Sequence, residues 1–239
     1  MYLRAIALAL LAACKGAEDG RAKSPAAVAA DSTPAAASAP VASSEIAPAA
    51  AAGATDPMVT RADSARIRGS ASAKVWMIVA SDFQCPYCKM WHDSADMTIR
   101  REYIDNGKVR MAFVNFPISS HQNALPAAEY AMCAGAQNKF WEMHDALFAA
   151  QDRWAPLPNP VQAFDQIAAS VGADTAAVKA CVSAHKMLPL IEADREKASR
   201  AGVRATPSFF IGNQILEGVQ MPSDLRRVLD AALAKAGAR

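Results

Sequence analysis

The apolar and polar positions of this chain fall into regular patterns only after about residue 65. Lys74-Val75-Trp76-Met77-Ile78-Val79-Ala80 is a nearly continuous apolar run with branched side chains, the pattern of a strand covered on both faces. Pro86 to about Ile104 has helical spacing, and Val109 to Phe116 reads as a second strand that stops at Pro117. Strand, helix and strand within this length form a βαβ unit, so the two strands are expected to be parallel. Helical spacing then takes over at Phe140, Met143, Leu147 and Phe148, and again at Val161, Phe164, Ile167 and Val171, where Gly172 is a good stop. Asp174 can cap a further helix carrying Val178 and Cys181, and Leu190 to Arg200 supplies another. Ser208 to Ile211 and Gln214 to Leu216 flank Gly212-Asn213, a two-residue hairpin signal. Leu225, Val228, Leu229, Ala232 and Leu233 mark a closing amphipathic helix with Ser223 as its candidate cap. The order is βαβ, a helical block, then ββα, with no internal repeat.

The front of the chain has a different composition. From Lys15 to about Arg61 it is Ala, Pro, Ser and Thr with almost no large apolar residues, too few to offset the entropy of ordering. Such a segment is expected to be a disordered tether; a flexible coil of about 50 residues holds a domain roughly 40 Å from its anchor. Ahead of it, Met1 to Arg4 is a positive start and Ala5 to Ala12 a short apolar segment, the layout of an export signal. Leu11-Ala12-Ala13-Cys14 resembles the lipobox of bacterial lipoprotein signals, which implies that Cys14 is lipidated; the alternative is an incidental cysteine in an ordinary signal peptide. Lys15 after the cysteine resembles the pattern sent to the outer membrane in Gram-negative bacteria. The expected organisation is a signal over 1–13, a tether over 14–64 and one domain over 65–239, with its helical insertion at about 120–203. No later run is long and apolar enough to cross a membrane.

A net charge of +2, with scattered Lys and Arg, gives no field for nucleic acid. Five cysteines are more informative. Cys85-Pro86-Tyr87-Cys88 stands where the first strand gives way to a helix. Pro86 suits the first helical turn, and the unpaired N–H groups and dipole of that turn favour a thiolate at Cys85. Such a cysteine drops from near pH 8.5 into a range of about 3.5 to 7.5. Cys88, one turn on, is close enough to resolve a mixed disulfide formed at Cys85. Two other readings are weaker. Zinc needs about two more ligands, and Cys133, Cys181, His92, His121, His144 and His185 show no second paired spacing, so no metal is expected. A purely structural Cys85–Cys88 bridge removes little loop entropy.

Ser81-Asp82-Phe83-Gln84-Cys85-Pro86-Tyr87-Cys88, then the stretch from Lys139 to Phe148, then the stretch from Gly202 to Asn213 together resemble the DsbA-like branch of the thioredoxin-fold thiol:disulfide oxidoreductases, over about Ile67 to Leu233. The resemblance implies an α/β thioredoxin fold with a helical insertion, Cys85 as attacking thiol and Cys88 as resolving thiol. It also implies that Thr206-Pro207 is a cis-proline loop lying against the cysteines and pairing with substrate backbone. Tyr87, with Pro86, is the expected exposed contact to a partner. A second bridge between Cys133 and Cys181 fits an exported protein and some family members. One position departs from the pattern: many relatives hold a buried acid six residues before the first cysteine, and here Val79 stands there. Asp82 reads as a solvated loop or capping residue, His92 as packing or surface, His121 as a helix start or cap, His144 as a structural hydrogen-bonding residue and His185 as exposed. Trp91, Phe140, Trp141 and Phe148 read as core.

The function so implied is disulfide exchange with unfolded or partly folded exported proteins, as a disulfide-donating oxidase. It needs no cofactor beyond the Cys85–Cys88 pair. A low-complexity tether in place of a dimerisation domain suggests a monomer, reset by a membrane redox partner in the periplasmic or extracytoplasmic envelope. The alternatives are an isomerase or reductase, and a tethered chaperone or adaptor whose cysteine pair is vestigial.

Overall fold

The computed structural model describes residues 56–237. Its first element is one the hydropathy pattern did not suggest. Asp56 accepts a hydrogen bond from the Met58 amide at 2.8 Å and caps helix α1, Pro57–Ala65, with Pro57 in the first turn. Ala62 and Asp63 of α1 are buried. The guanidinium of Arg66, also buried, is ion-paired to Asp63 and to Asp194 and donates to the Phe113 carbonyl at 3.2 Å. The expected tether over 14–64 is therefore corrected at its C-terminal end. A helix with few large apolar residues is held by a buried charge cluster, which hydropathy does not register. The signal segment, Cys14 and the rest of the tether lie outside the described residues.

Five strands form one mixed sheet in the order β1-β3-β2-β4-β5: β1 Ile67–Arg68, β2 Val75–Ser81, β3 Val109–Asn115, β4 Ser208–Ile211 and β5 Gln214–Glu217. β2 and β3 are parallel, from Val75 opposite Val109 to Ser81 opposite Asn115. β4 is antiparallel to β2, setting Val79 opposite Phe209, and β5 returns along β4 through a turn in which Gly212 has φ +60°. Alternate side chains of β2 enter different cores, as a period of two requires. Met77 and Val79 pack under Trp91, Ile99, Leu225 and Leu229, whereas Ile78 and Ala80 pack with Phe210, Ala198 and Val203.

The first face is covered by two helices. α2 begins at Pro86 and runs through Pro86–Trp91, His92–Asp96, Met97–Ile99 and Arg100–Ile104, the second and fourth stretches being π-helical turns. π turns of this kind are frequent at functional sites. α9, Pro222–Gly237, starts one residue earlier than its expected cap, so Ser223 lies inside the first turn. Between β3 and β4 come α3 Ala124–Gly135, α4 Phe140–Ala149, α5 Gln151–Trp154, α6 Val161–Ser170, α7 Thr175–Ser183 and α8 Leu188–Arg200. This is the expected α/β sheet with a helical insertion. The insertion has its own core of Phe140, Leu147, Trp154 and Phe164, which Phe83 and Phe113 join from the sheet side. Asp174 caps α7 through the amides of Ala176 and Ala177. Cys133 of α3 and Cys181 of α7 are bonded, with their Cα atoms 5.9 Å apart. Among the described residues no helix is long and apolar enough to cross a membrane.

Candidate active site

Strand β2 ends at Ser81, and the chain must turn sharply before α2. Asp82 makes that turn: its Oδ1 accepts from the Gln84 amide at 2.7 Å, and its carbonyl accepts from the Cys85 amide at 3.2 Å. Cys85 follows in extended conformation at the cap position of α2, and Pro86 opens the helix. Cys85 is 3% exposed and Cys88 fully buried, both as free thiols. Pro86 is exposed and Tyr87 is 59% exposed, so the middle of the motif forms the rim.

Across from the helix lies the loop before β4. The Cys85 thiol donates to the Thr206 carbonyl at 3.5 Å, and the Thr206-Pro207 peptide bond is cis. Thr206 and Pro207 are both buried. The Pro207 carbonyl accepts from the Gly218 amide at 2.8 Å, which ties this loop to the end of β5. The structure thus brings Cys85, Pro86, Tyr87, Cys88, Thr206 and Pro207 together, while Cys133 and Cys181 lie apart in the insertion.

The two thiols are electrically unlike. A hydrogen bond from Cys88 stabilises the Cys85 thiolate; against the opposing effect of burial, Thr206 and the backbone N–H groups of Cys88 and Tyr87 add to that pull and bring Cys85 down to about 6. Burial and the neighbouring Cys85 push Cys88 well up, although the Asp82 amide 3.5 Å from its sulfur and the Ser81 hydroxyl oppose this. A thiolate held beside a protonated thiol can attack a disulfide, and the neighbouring thiol, once deprotonated, can then attack the resulting mixed disulfide at Cys85 and expel the partner's sulfur as a thiolate.

Several neighbours were not legible in the pattern. Gln151, at the start of α5, donates to the carbonyls of Phe83 and Cys85 at 2.7 and 3.0 Å, clamping the turn from the insertion side. Gln84 accepts from the Asn123 amide at 2.6 Å and donates to the Ala155 carbonyl at 3.0 Å. Asp82 caps the turn as one of its two expected readings has it, but it is corrected from solvated to 2% exposed, because its other oxygen accepts from the Ile118 amide at 2.9 Å and meets His121 Nδ1 at 2.7 Å. His121 accordingly holds Asp82 instead of starting a helix. A residue that caps a turn and is then roofed by a distant loop looks the same in sequence as one that caps a turn in water.

Behind the motif, His92, Asp96, His144 and Asp145 gather closely enough to suggest metal ligands. Arg100 already fills that role. Its Nη1 and Nη2 each reach an Asp145 oxygen at 2.9 Å, Nη2 meets His144 Nδ1 at 3.1 Å, and Nε donates to Asp96 at 3.0 Å. Burial lifts Asp96 to about 6 and presses His144 down to about 3, so the group is a charge network centred on a permanent cation.

A sequence profile described as thioredoxin matches residues 61–231. The chain belongs to the thioredoxin family. Within that family it is DsbA-like. It superposes on the crystal structure of α-DsbA1 from Wolbachia pipientis with a TM-score of 0.65 at 26% identity, covering 72% of this chain and 92% of that one. It is 26% identical over 172 residues to the probable disulfide bond formation protein D of Bacillus anthracis, covering 70% of this chain and 77% of that protein. It is also 30% identical over 178 residues to the Na(+)/H(+) antiporter NhaA 3 of Salinispora tropica. That match takes in 74% of this chain but only 26% of the antiporter, so the thioredoxin-family chain spans about a quarter of that relative's length.

Proposed function

We propose that this protein is an extracytoplasmic thiol:disulfide oxidoreductase that donates the Cys85–Cys88 disulfide to unfolded or partly folded exported proteins. The observation that carries the reading is the unequal pair: Cys85 lowered to about 6 beside a Cys88 pushed well up, at the foot of the Thr206-Pro207 loop. A client thiolate attacks Cys85, and Cys88 leaves. The client's second thiolate then attacks the mixed disulfide and releases Cys85 as a thiolate. Stabilising that thiolate favours the reduced protein and makes its disulfide a better oxidant. Thr206 and Pro207 would pair with client backbone, and Tyr87 and Pro86 would contact it at the rim.

The value at Cys85 also bears on direction. It falls between the thiols of thioredoxin, about 7, and of a strong oxidant, about 3.5. A potential of about −120 mV would support the oxidase reading, and one of about −270 mV the isomerase or reductase reading. Equilibration of the pair in graded redox buffers measures it. Cys85→Ser should abolish both dithiol oxidation and insulin reduction; full activity in that variant would refute the assignment.

The remaining parts of the proposal rest on the sequence. The export-like start supports an envelope location, and Leu11 to Cys14 supports a lipid on Cys14. Labelling with a fatty-acid analogue, lost in Cys14→Ala, tests the anchor. A monomer reset by a membrane redox partner completes the reading.

A further inference from the structure

Cys88 must gain a proton when the active-site disulfide opens and lose one when it closes. It is fully buried, and six residues before Cys85 the side chain of Val79 lies in the apolar core under α2. The Cys85 thiol is the hydrogen-bonding neighbour of Cys88, and the Asp82 amide lies 3.5 Å from its sulfur. Ser81 stands two residues beyond Val79 and therefore on the same face of β2. Its hydroxyl is buried without a hydrogen-bond partner and opposes the rise of the Cys88 pKa, so a polar group stands one pleat further along the strand than the missing acid.

Asp82 carries the carboxylate nearest to Cys85 in the sequence, and it has two sides. Its amide faces the Cys88 sulfur, whereas its Oδ2 lies 2.7 Å from His121 Nδ1. The His121 side chain is 25% exposed and lines an open cavity of about 270 Å³ between the β3–α3 loop and α8. The other charged groups on that cavity are Glu192 and Arg195, both on α8. From the Asp82 backbone at the sulfur to the cavity, the chain therefore offers a carboxylate and an imidazole in contact with each other.

We propose that Asp82 and His121 are the proton outlet of Cys88, standing in for the acid absent at Val79. The proposal rests on the exchange reaction assigned above. When a mixed disulfide on Cys85 is resolved, the Cys88 thiol gives its proton toward Asp82 and its sulfur bonds to Cys85 Sγ. The bond from Cys85 to the client breaks, the client sulfur departs with the electron pair as a thiolate, and the proton passes through His121 to water in the cavity. In the opposite direction Cys88 leaves as a thiolate and is protonated along the same route. No electron acceptor other than the disulfide takes part. Burial raises the Asp82 carboxyl above its usual range against the pull of Ile118, His121 and Gln84, which brings it closer to a thiol in basicity. Imidazole is the side chain that ordinarily trades protons with water near neutral pH.

The test is stopped-flow reaction of the reduced full-length protein with the aromatic disulfide dithiobisnitrobenzoate, which releases one coloured thiolate when Cys85 attacks and a second when Cys88 resolves. At pH 7, Asp82→Asn and His121→Ala should slow the second release at least about ten-fold and leave the first within about two-fold. The gap should close as pH rises and hydroxide takes the proton directly. Free imidazole should restore the second step in His121→Ala and leave the wild type unchanged. An unaltered second step would overturn the outlet, as would slowing by one factor at every pH without imidazole rescue, or equal slowing of both steps. If Asp82→Asn does not fold, the imidazole response of His121→Ala decides alone, since its ring is partly exposed and bears none of the turn's backbone contacts. Absence of any first step in the wild type would instead refute the exchange reaction, and the outlet with it.

Discussion

The sulfur of Cys85 and the carbonyl oxygen of Thr206 lie 3.5 Å apart although 121 residues separate them along the chain. That contact closes the front of the site and sets Cys85 where a helix start, a neighbouring thiol and a loop all act on its charge.

The first consequence is a pH-dependent difference between redox states. The folded value of Cys85, about 6, lies below the ordinary thiol value near 8.5. Its stabilisation of the reduced protein is thus complete above 8.5 and lost as pH falls through about 6, with on the order of 1 kcal/mol present at pH 7. Denaturant unfolding of reduced and oxidised protein from pH 5 to 8 should show the reduced form losing stability relative to the oxidised form as pH falls. Parallel curves would mean that Cys85 is not lowered.

Gln151→Ala leaves the Phe83 and Cys85 carbonyls without their side-chain donor. A loss of about 1–3 kcal/mol is expected, with slower alkylation of Cys85 because the turn is no longer fixed. Thermal unfolding and iodoacetamide kinetics on one preparation measure both effects. A variant equal to wild type in each would remove Gln151 from the account of the site.

Removing Arg66 strands Asp63 and Asp194 in the interior. Arg66→Ala is expected to cost about 3–5 kcal/mol, which for a domain of this size lowers the Tm by roughly 10 °C. Little change in Tm would show that α1 is held some other way.

The Cys133–Cys181 bridge closes a loop with a sequence separation of 48. By loop entropy its loss costs up to about 4 kcal/mol. The Cys133→Ala/Cys181→Ala protein should unfold earlier while Cys85 alkylates at an unchanged rate, since the bridge joins α3 to α7 within the insertion. A change in alkylation rate as large as the change in stability would show that the two are coupled.

His92 offers a second titration. Burial lowers its pKa, but the carboxylates of Asp145, Asp93 and Asp96 outweigh that and leave it raised. The stabilisation is fully present below about 6.5 and is lost as pH rises through the folded value above it. His92→Gln should flatten the stability curve on the alkaline side of 6.5, as followed by urea midpoints.

The sheet apart from its two-residue edge strand β1, and the cysteine motif, were legible because each is written in neighbouring residues. β2 is a run of apolar side chains, the hairpin is marked by Gly212-Asn213, and Cys85 to Cys88 is a four-residue word at a strand-to-helix junction. The rest depends on partners far away in sequence. Asp82 meets Ile118 and His121, Gln151 reaches back to Phe83, and Arg66 joins α1 to Asp194 across 128 residues. Hydrogen bonds of that range leave no periodicity, and α1, whose anchor is charge, has the composition of unstructured chain.

The clamp by Gln151 gives the helical insertion a mechanical part. One amide group from α5 grips two carbonyls of the strand-to-helix turn, so both are released together whenever α5 unwinds. The free energy of that local opening sets how often the nucleophile loses its support. The stiffness of Cys85 is thereby governed from outside the sheet, by the least extensive helix of the insertion.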